Sequence, residues 1–160
     1  MDEGKPKHLS PKEAREKIEA YCAYRERSQQ EVKQKLYDYG LYTDLVNEII
    51  SELIQNNFLN EERFARSFVR GKFSIKKWGR VKIKQALYPH HLSDYILKKA
   101  FTEIDEAQYD QVLREVIAKK ARLVKEKNEF RRNGKIAQYA IGRGFEPDLV
   151  WDVIKSGTAF

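Results

Sequence analysis

The chain resembles itself at a fixed interval, and this self-similarity limits its possible folds more than any other feature of the sequence. A shift of 104 positions carries residues 32–50 onto residues 136–154 with no gap across 19 positions. The coincidences include Val32 with Ile136, Leu36 with Ala140, Gly40 with Gly144, Asp44 with Asp148 and Leu45 with Leu149. The middle of the chain follows at an offset of 51, with a one-residue deletion before Asp94. A recurrence of about 50 residues indicates stacked units that bury a shared core.

Helix signals divide each unit into three helices. Only 8 glycines and 4 prolines occur among 160 residues, and they stand where helices should begin or end. The N-cap patterns are Ser10-Pro11, Ser28 with Glu31, Asn60, Ser93-Asp94 and Glu146-Pro147-Asp148. The apolar spacing predicts an all-α fold of three tandem three-helix, helix-turn-helix-like repeats of about 50 residues in an elongated array. We expect a flexible N-terminal tail over residues 1–9 and repeats over residues 10–58, 59–105 and 106–160.

Some of these expectations concern single helices. The first helix is expected over residues 11–26, and the second helix of the first repeat is expected to end at Gly40. Pro89 is expected to stop the second helix of the middle repeat. The inner face of the second helix of the last repeat is predicted to contain Phe130, Ile136, Tyr139 and Ala140.

Positive charge is concentrated in two windows of the chain. Lys and Arg number 31 against 24 Asp and Glu, a formal net charge of +7. Residues 61–90 hold 9 basic and 2 acidic residues, and residues 111–135 hold 9 basic and 3 acidic residues. Both windows cover the first helix of a repeat and the start of its second, so equivalent side chains should face the same way and form a basic band. The predicted basic band contains Arg63, Arg66, Arg70, Lys72, Lys76, Lys77, Arg80, Lys82, Lys84, Lys119, Lys120, Arg122, Lys125, Arg131, Arg132 and Lys135.

The basic band has two possible meanings. Lysine-rich helix faces are common where a helix is merely solvated. Basic charge that recurs in two units favours a polyanion, such as nucleic acid or a nucleoprotein surface. Membrane binding is not expected, because the apolar helix faces are used in the core. Trp78 stands beside Lys76, Lys77 and Arg80, so its ring can either pack in the core or stack on a base.

No motif predicts catalysis, a cofactor or a metal site, and the chain is not expected to be an enzyme. Cys22 is the one cysteine, and the histidines His8, His90 and His91 have no further ligands close in sequence. Gly142-Arg143-Gly144 is too short for a phosphate-binding loop. The sequence has neither an apolar run of membrane-spanning length nor an apolar stretch behind its N-terminal charges. We therefore expect a cytoplasmic protein.

Three stretches of the chain resemble the RecX family of bacterial regulators of the RecA recombinase. They are Arg25-Glu26-Arg27-Ser28 followed by Glu31-Val32 and Lys35-Leu36, then Phe58 to Val69 with its Glu-Glu-Arg-Phe-Ala block, and Trp78-Gly79-Arg80-Val81-Lys82-Ile83 with Leu87. The resemblance covers roughly residues 15–156 and is weakest in the last repeat. Asn60 departs from the acidic residue usual in the family, and His90-His91 replaces a family glycine.

The resemblance implies a non-enzymatic protein without cofactors that lodges along the groove of the RecA–DNA filament. Such a protein would damp the ATPase, strand-exchange and coprotease activities of RecA. Its expected partners are the RecA filament and, weakly and non-specifically, single- or double-stranded DNA, and the chain itself is expected to be a monomer. The alternative is a stand-alone DNA-binding helical protein that acts without RecA, because three-helix units are similar to helix-turn-helix modules.

Overall fold

The computed structural model describes residues 8–157, and these residues form nine α-helices and one short 3-10 helix, with no strand among them. The α-helices are α1 (Pro11–Tyr24), α2 (Gln29–Asp38), α3 (Thr43–Gln55), α4 (Glu61–Ser74), α5 (Arg80–Leu87), α6 (Asp94–Phe101), α7 (Glu106–Leu123), α8 (Glu129–Gly142) and α9 (Pro147–Ser156), and the 3-10 helix is Tyr88–His90. The predicted all-α fold of three tandem three-helix repeats is confirmed for this part of the chain. The predicted repeat limits stay a prediction, and most of the predicted tail, residues 1–7, lies outside the described residues.

The first helix is shorter than the sequence predicted. It ends before residue 26 because Arg25 is extended, with φ −157°. The extended segment brings the side chain of Arg27 back to α1, where its Nε donates to the carbonyl oxygen of Tyr21 at 2.9 Å. The predicted capping box at Ser28 is present and begins α2.

The second helix of each repeat is followed by a left-handed residue. In repeats 1 and 3 this residue is Gly40 (φ +86°) and Gly144 (φ +101°), and in repeat 2 it is His91 (φ +53°). Glycine adopts this conformation without steric cost, whereas His91 adopts it as a non-glycine residue. In keeping with the prediction for Pro89, α5 ends at Leu87, and the proline lies inside the 3-10 helix that follows.

Two hydrophobic clusters hold the repeats together. The first cluster belongs to repeat 1 and includes Ala14, Ile18, Val32, Leu36, Val46 and Ile49, all at most 1% exposed. The second cluster is continuous through repeats 2 and 3 and includes Ala65, Val69, Ile83, Ile117, Ile136 and Ala140. Repeats 2 and 3 therefore share one core, whereas repeat 1 meets repeat 2 where α2 contacts the 3-10 helix.

The junction between repeats 2 and 3 is a contact between backbones. Gly79, the N-cap of α5, donates its N–H to the carbonyl oxygen of Arg143 at 2.9 Å, and Val81 donates to Gly144 at 2.9 Å. A Cβ on Gly79 would stand 2.3 Å from the carbonyl carbon and oxygen of Gly144. The absent side chain of Gly79 is therefore what lets α5 approach the turn after α8.

We expect Gly79→Ala to lower the free energy of unfolding by about 2 to 3 kcal/mol, because the new methyl group meets backbone that cannot move aside cheaply. Gly71→Ala is the matched control, since nothing lies within 4 Å of its Cβ position and it stands inside α4. That control should raise the free energy of unfolding by about 0.5 to 1 kcal/mol through helix propensity. Urea denaturation followed by circular dichroism measures both changes, and equal stabilities of the two variants would contradict the backbone junction.

Candidate nucleic-acid interface

The arginines of the basic band in repeat 2 are engaged in ion pairs inside the protein. Arg63 Nε donates to Glu26 of repeat 1 at 2.6 Å. Arg66 Nη1 lies 3.0 Å and Arg70 Nη1 lies 3.6 Å from carboxylate oxygens of Glu103, which follows α6 in the same repeat. Their charge is thus largely balanced where they stand, and these arginines connect helices and repeats.

Arg80 lies in a network that connects repeats 2 and 3. Its guanidinium donates to Glu106 at 2.7 Å and to Glu146 at 2.9 Å, and lies 4.0 Å from the ring centre of Tyr109. The hydroxyl of Tyr109 donates to Glu146 at 2.5 Å and accepts from the N–H of Arg80 at 3.1 Å. Burial, and then the hydrogen bond to Glu146, raise the pKa of Tyr109 far above its ordinary value. Arg80 therefore joins repeat 2 to α7 and α9.

The lysines of the band are differently placed from its arginines. Among the described residues, the ammonium groups of Lys76, Lys77, Lys84, Lys119 and Lys125 form no ion pair. Arg122 and Arg131 are exposed and are likewise absent from the ion pairs of residues 8–157. In repeat 3, Arg132 donates to the carbonyl oxygen of Ala121 at 3.0 Å and Lys135 to Glu126 at 3.3 Å.

The ring of Trp78 packs against the core and also lies beside two lysines. Its ring is half-buried and packs against the core shared by repeats 2 and 3. The same ring is flanked by two cations, with the Nζ of Lys72 4.8 Å and the Nζ of Lys82 4.4 Å from its centre. An aromatic ring beside lysines is the combination that binds bases and phosphates together.

A groove of about 480 Å³ on repeat 3 lies beside an exposed aromatic ring, that of Tyr139. It is lined by Lys120, Leu123, Val124, Lys125, Lys135, Gln138 and Tyr139. Tyr139 is 41% exposed and the Nζ of Lys120 lies 4.7 Å from its ring centre. The prediction that Tyr139 and Phe130 face the core was therefore wrong, since Phe130 is 87% exposed. Of the four residues predicted for this face, Ile136 and Ala140 are buried.

His90 lies at the junction between repeats 1 and 2. His90 Nδ1 lies 2.7 Å from the hydroxyl of Ser28, the N-cap of α2, and its ring packs 4.9 Å from that of Phe64. Burial lowers the pKa of His90 below its ordinary value, against an opposing effect of Glu31. No group of three or more potential metal-ligating side chains occurs among the described residues.

No helix in the described part of the chain combines the length and apolar character needed to cross a membrane.

Sequence models of the first, second and third three-helix domains of RecX match residues 14–53, 60–100 and 107–154, in that order.

Individual relatives carry the same name. Regulatory protein RecX of Streptococcus uberis is 31% identical over 136 residues, which cover 81% of this chain and 50% of the relative. That of Prosthecochloris aestuarii is 30% identical over 130 residues, which cover 81% of this chain and 83% of the relative. The chain thus spans half the length of the first relative and most of the second.

Solved structures share the fold. The crystal structure of RecX from Lactobacillus salivarius superposes with a TM-score of 0.82 at 23% identity, covering 91% of this chain and 95% of that one. A second crystal structure, of a regulatory protein RecX, superposes with a TM-score of 0.81 at 21% identity, covering 91% of this chain and 71% of that one. The three-repeat architecture is therefore shared with both structures.

The lowered pKa of His90 predicts a pH dependence of stability. The unfolded chain binds a proton on this histidine near its ordinary pKa of 6.5, whereas the folded chain binds it only at lower pH. The stability contributed by neutral His90 is therefore complete above pH 6.5 and is lost as pH falls from 6.5 through the folded pKa.

Urea denaturation at several pH values between 7.5 and 5.5, on both sides of the ordinary pKa of 6.5, measures this loss. His90→Gln should make the free energy of unfolding less dependent on pH. Circular dichroism at pH 7.5 verifies that the variant is folded. An identical pH dependence in the variant and the unchanged protein would contradict the role of His90.

Proposed function

The chain belongs to the RecX family of regulatory proteins, and we propose that it regulates RecA by binding RecA and RecA–DNA filaments. The observation that carries the proposal is the ordered match of all three RecX domains along one chain. The proposed effect is mainly inhibition of the ATPase, strand-exchange and coprotease activities of RecA in DNA repair and recombination. In this proposal the protein is a cytoplasmic monomer that acts without catalysis or a cofactor.

The physical basis of the proposal is the form of the repeats together with the free cations on them. A tandem helical array presents equivalent faces at regular intervals, which suits a partner that is itself a repeating filament. The groove of a RecA filament is lined by protein and by phosphate backbone, so unpaired lysines can contact phosphates there. Occupying that groove would hinder the movements that ATP hydrolysis and strand exchange require.

The proposal is tested on RecA filaments assembled on single-stranded DNA. Substoichiometric amounts of the protein should slow ATP hydrolysis and strand exchange. Absence of any effect at equimolar protein, with the fold verified by circular dichroism, would contradict it.

The alternative function, DNA binding without RecA, is favoured by the lysines that flank Trp78. The two functions differ in whether tight binding needs RecA or only DNA.

The role of the basic band is tested by reversing the charge of three exposed lysines. We expect Lys76→Glu, Lys84→Glu and Lys125→Glu together to weaken binding to the RecA–DNA filament at least tenfold at low salt. Each change should alter the free energy of unfolding by only about 0.5 kcal/mol, because these side chains are exposed. The slope of log affinity against log salt should shrink by roughly 0.7 to 0.9 for each phosphate that the variant no longer binds.

The matched control makes the same charge change in repeat 1. Lys12, Lys17 and Lys33 are also exposed, and their replacement by Glu should change the affinity less than twofold. Fluorescence anisotropy of labelled filaments at several salt concentrations measures both variants. Equally weakened binding in the two variants would mean that only the total charge matters, and the band would be a solvated face.

A further inference from the structure

We infer that repeats 2 and 3 each carry one lysine–aromatic site and that the two sites together bind a single strand of nucleic acid. The first site is Lys72, Trp78 and Lys82, and the second is Lys120, Tyr139 and Lys135. The inference deepens the proposed function and rests on it for the setting, a filament on DNA. The binding of a single strand itself does not require RecA.

The cations of the two sites occupy equivalent positions in their repeats. The buried residues of α4, Ala65 and Val69, align with buried residues of α7 that stand 48 positions later, Leu113 and Ile117. The same offset aligns Lys72 with Lys120. The buried Ile83 and Leu87 of α5 correspond to Ile136 and Ala140 of α8, 53 residues later, and this register places Lys82 on Lys135. Equivalent positions in stacked repeats project similarly, so the lysine pair recurs at the spacing of one repeat.

Repeat 1 shows that the fold itself does not require this pair. The buried Ala14 and Ile18 of α1 precede Ala65 and Val69 by 51 residues, so the same register assigns Tyr21 and Glu31 to the two lysine positions. There the ring of Tyr21 is covered by Arg27, whose guanidinium lies 3.7 Å from the ring centre. A different lysine lies near the rings of repeat 1, since the Nζ of Lys35 is 5.4 Å from the ring centre of Tyr21 and 5.9 Å from that of Tyr39. The lysine pair at the two equivalent positions is thus a property of repeats 2 and 3.

The helix α8 connects the two sites. Arg131, Lys135 and Tyr139 recur every four residues along one face of that helix, and its C-cap Arg143 follows at the same spacing. At the end of this face, Arg143 Nη2 donates to the carbonyl oxygens of Lys76 and, at 3.4 Å, Lys77, immediately before Trp78. The face that begins beside the groove of repeat 3 thus ends at the loop that carries the first site.

The chemistry of the surface favours a single strand. Accessible aromatic rings stack on unpaired bases, which a duplex hides, and nearby lysines bind the phosphates. The ring of Tyr139 is exposed and that of Trp78 is half-buried. Leu123, 66% exposed, adds apolar surface to the groove beside Tyr139. The ion pair of Lys135 with Glu126 does not block this use, because exposed ion pairs are weak and exchange readily for a phosphate. An acidic peptide would satisfy the lysines but leave the rings without a partner.

The first test uses tryptophan fluorescence without RecA. In the Trp151→Phe variant, Trp78 is the only tryptophan, and a 20-nucleotide oligothymidylate should quench its emission. In the Trp78→Phe variant the remaining Trp151 should be unaffected. Poly-L-glutamate should quench neither. Quenching of Trp78 by poly-L-glutamate as strong as by the oligonucleotide, or tighter binding of duplex DNA than of the single strand, would overturn the inference.

The second test measures the affinity for the same oligonucleotide by anisotropy. Tyr139→Ala should weaken binding about tenfold, the effect of removing one base–aromatic stack, and Tyr139→Trp should restore it. Lys120→Gln with Lys135→Gln should reduce the salt slope by roughly 0.7 for each of the two phosphates released. The controls are Tyr42→Ala, which removes an 83% exposed tyrosine of repeat 1, and Lys17→Gln with Lys33→Gln. Each control should change the affinity for the oligonucleotide less than twofold.

The outcome separates this inference from the proposed function. A fall in affinity in the controls equal to that in the site variants would overturn the lysine–aromatic sites, even if RecA filaments were still inhibited. A selective fall in the site variants would support the sites, even if the protein left the RecA ATPase unchanged. Circular dichroism of each variant verifies that the affinity is measured on folded protein.

Discussion

The backbone contact between Gly79 and the turn at Gly144 is the constraint on which the rest of the structure depends. Two N–H groups of repeat 2, those of Gly79 and Val81, are satisfied by carbonyl oxygens of repeat 3, and this requires an approach that a side chain would prevent. The contact aligns α5 with the end of α8 and so places Trp78, the residue before Gly79, close to that end. At the other junction, the side chains of Ser28 and His90 make the corresponding contact.

Arginine and lysine have different tasks in this protein. The arginines join elements that are far apart in sequence, as Arg63 does with Glu26 and Arg80 with Glu146. A planar guanidinium with five donors suits such fixed, often bidentate contacts, whereas an ammonium group is a mobile point charge. The lysines remain on the surface or over aromatic rings, as Lys120 lies over Tyr139. The net positive charge available to a partner therefore comes mainly from lysines.

Much of the fold could be predicted from the sequence because its signals are local. The capping box at Ser28, the cap at Asn60 and the left-handed Gly40 each need only a few neighbouring residues to act. The candidate site was less predictable. Tyr139 has the apolar character of a core residue, but the buried face of α8 is narrow and leaves its ring 41% exposed.

The sequence by itself determined the three repeats, the helix starts and the two windows of positive charge, because periodicity and capping act over a few residues. Only the tertiary structure decided which cations are engaged and which are free. Arg66 and Lys72 stand in the same basic window of the sequence. Arg66 is paired with Glu103, 37 residues away, whereas Lys72 lies over the ring of Trp78. Partners so far apart meet only when helices pack, so the pattern of charge along a chain does not reveal which charges the fold neutralises.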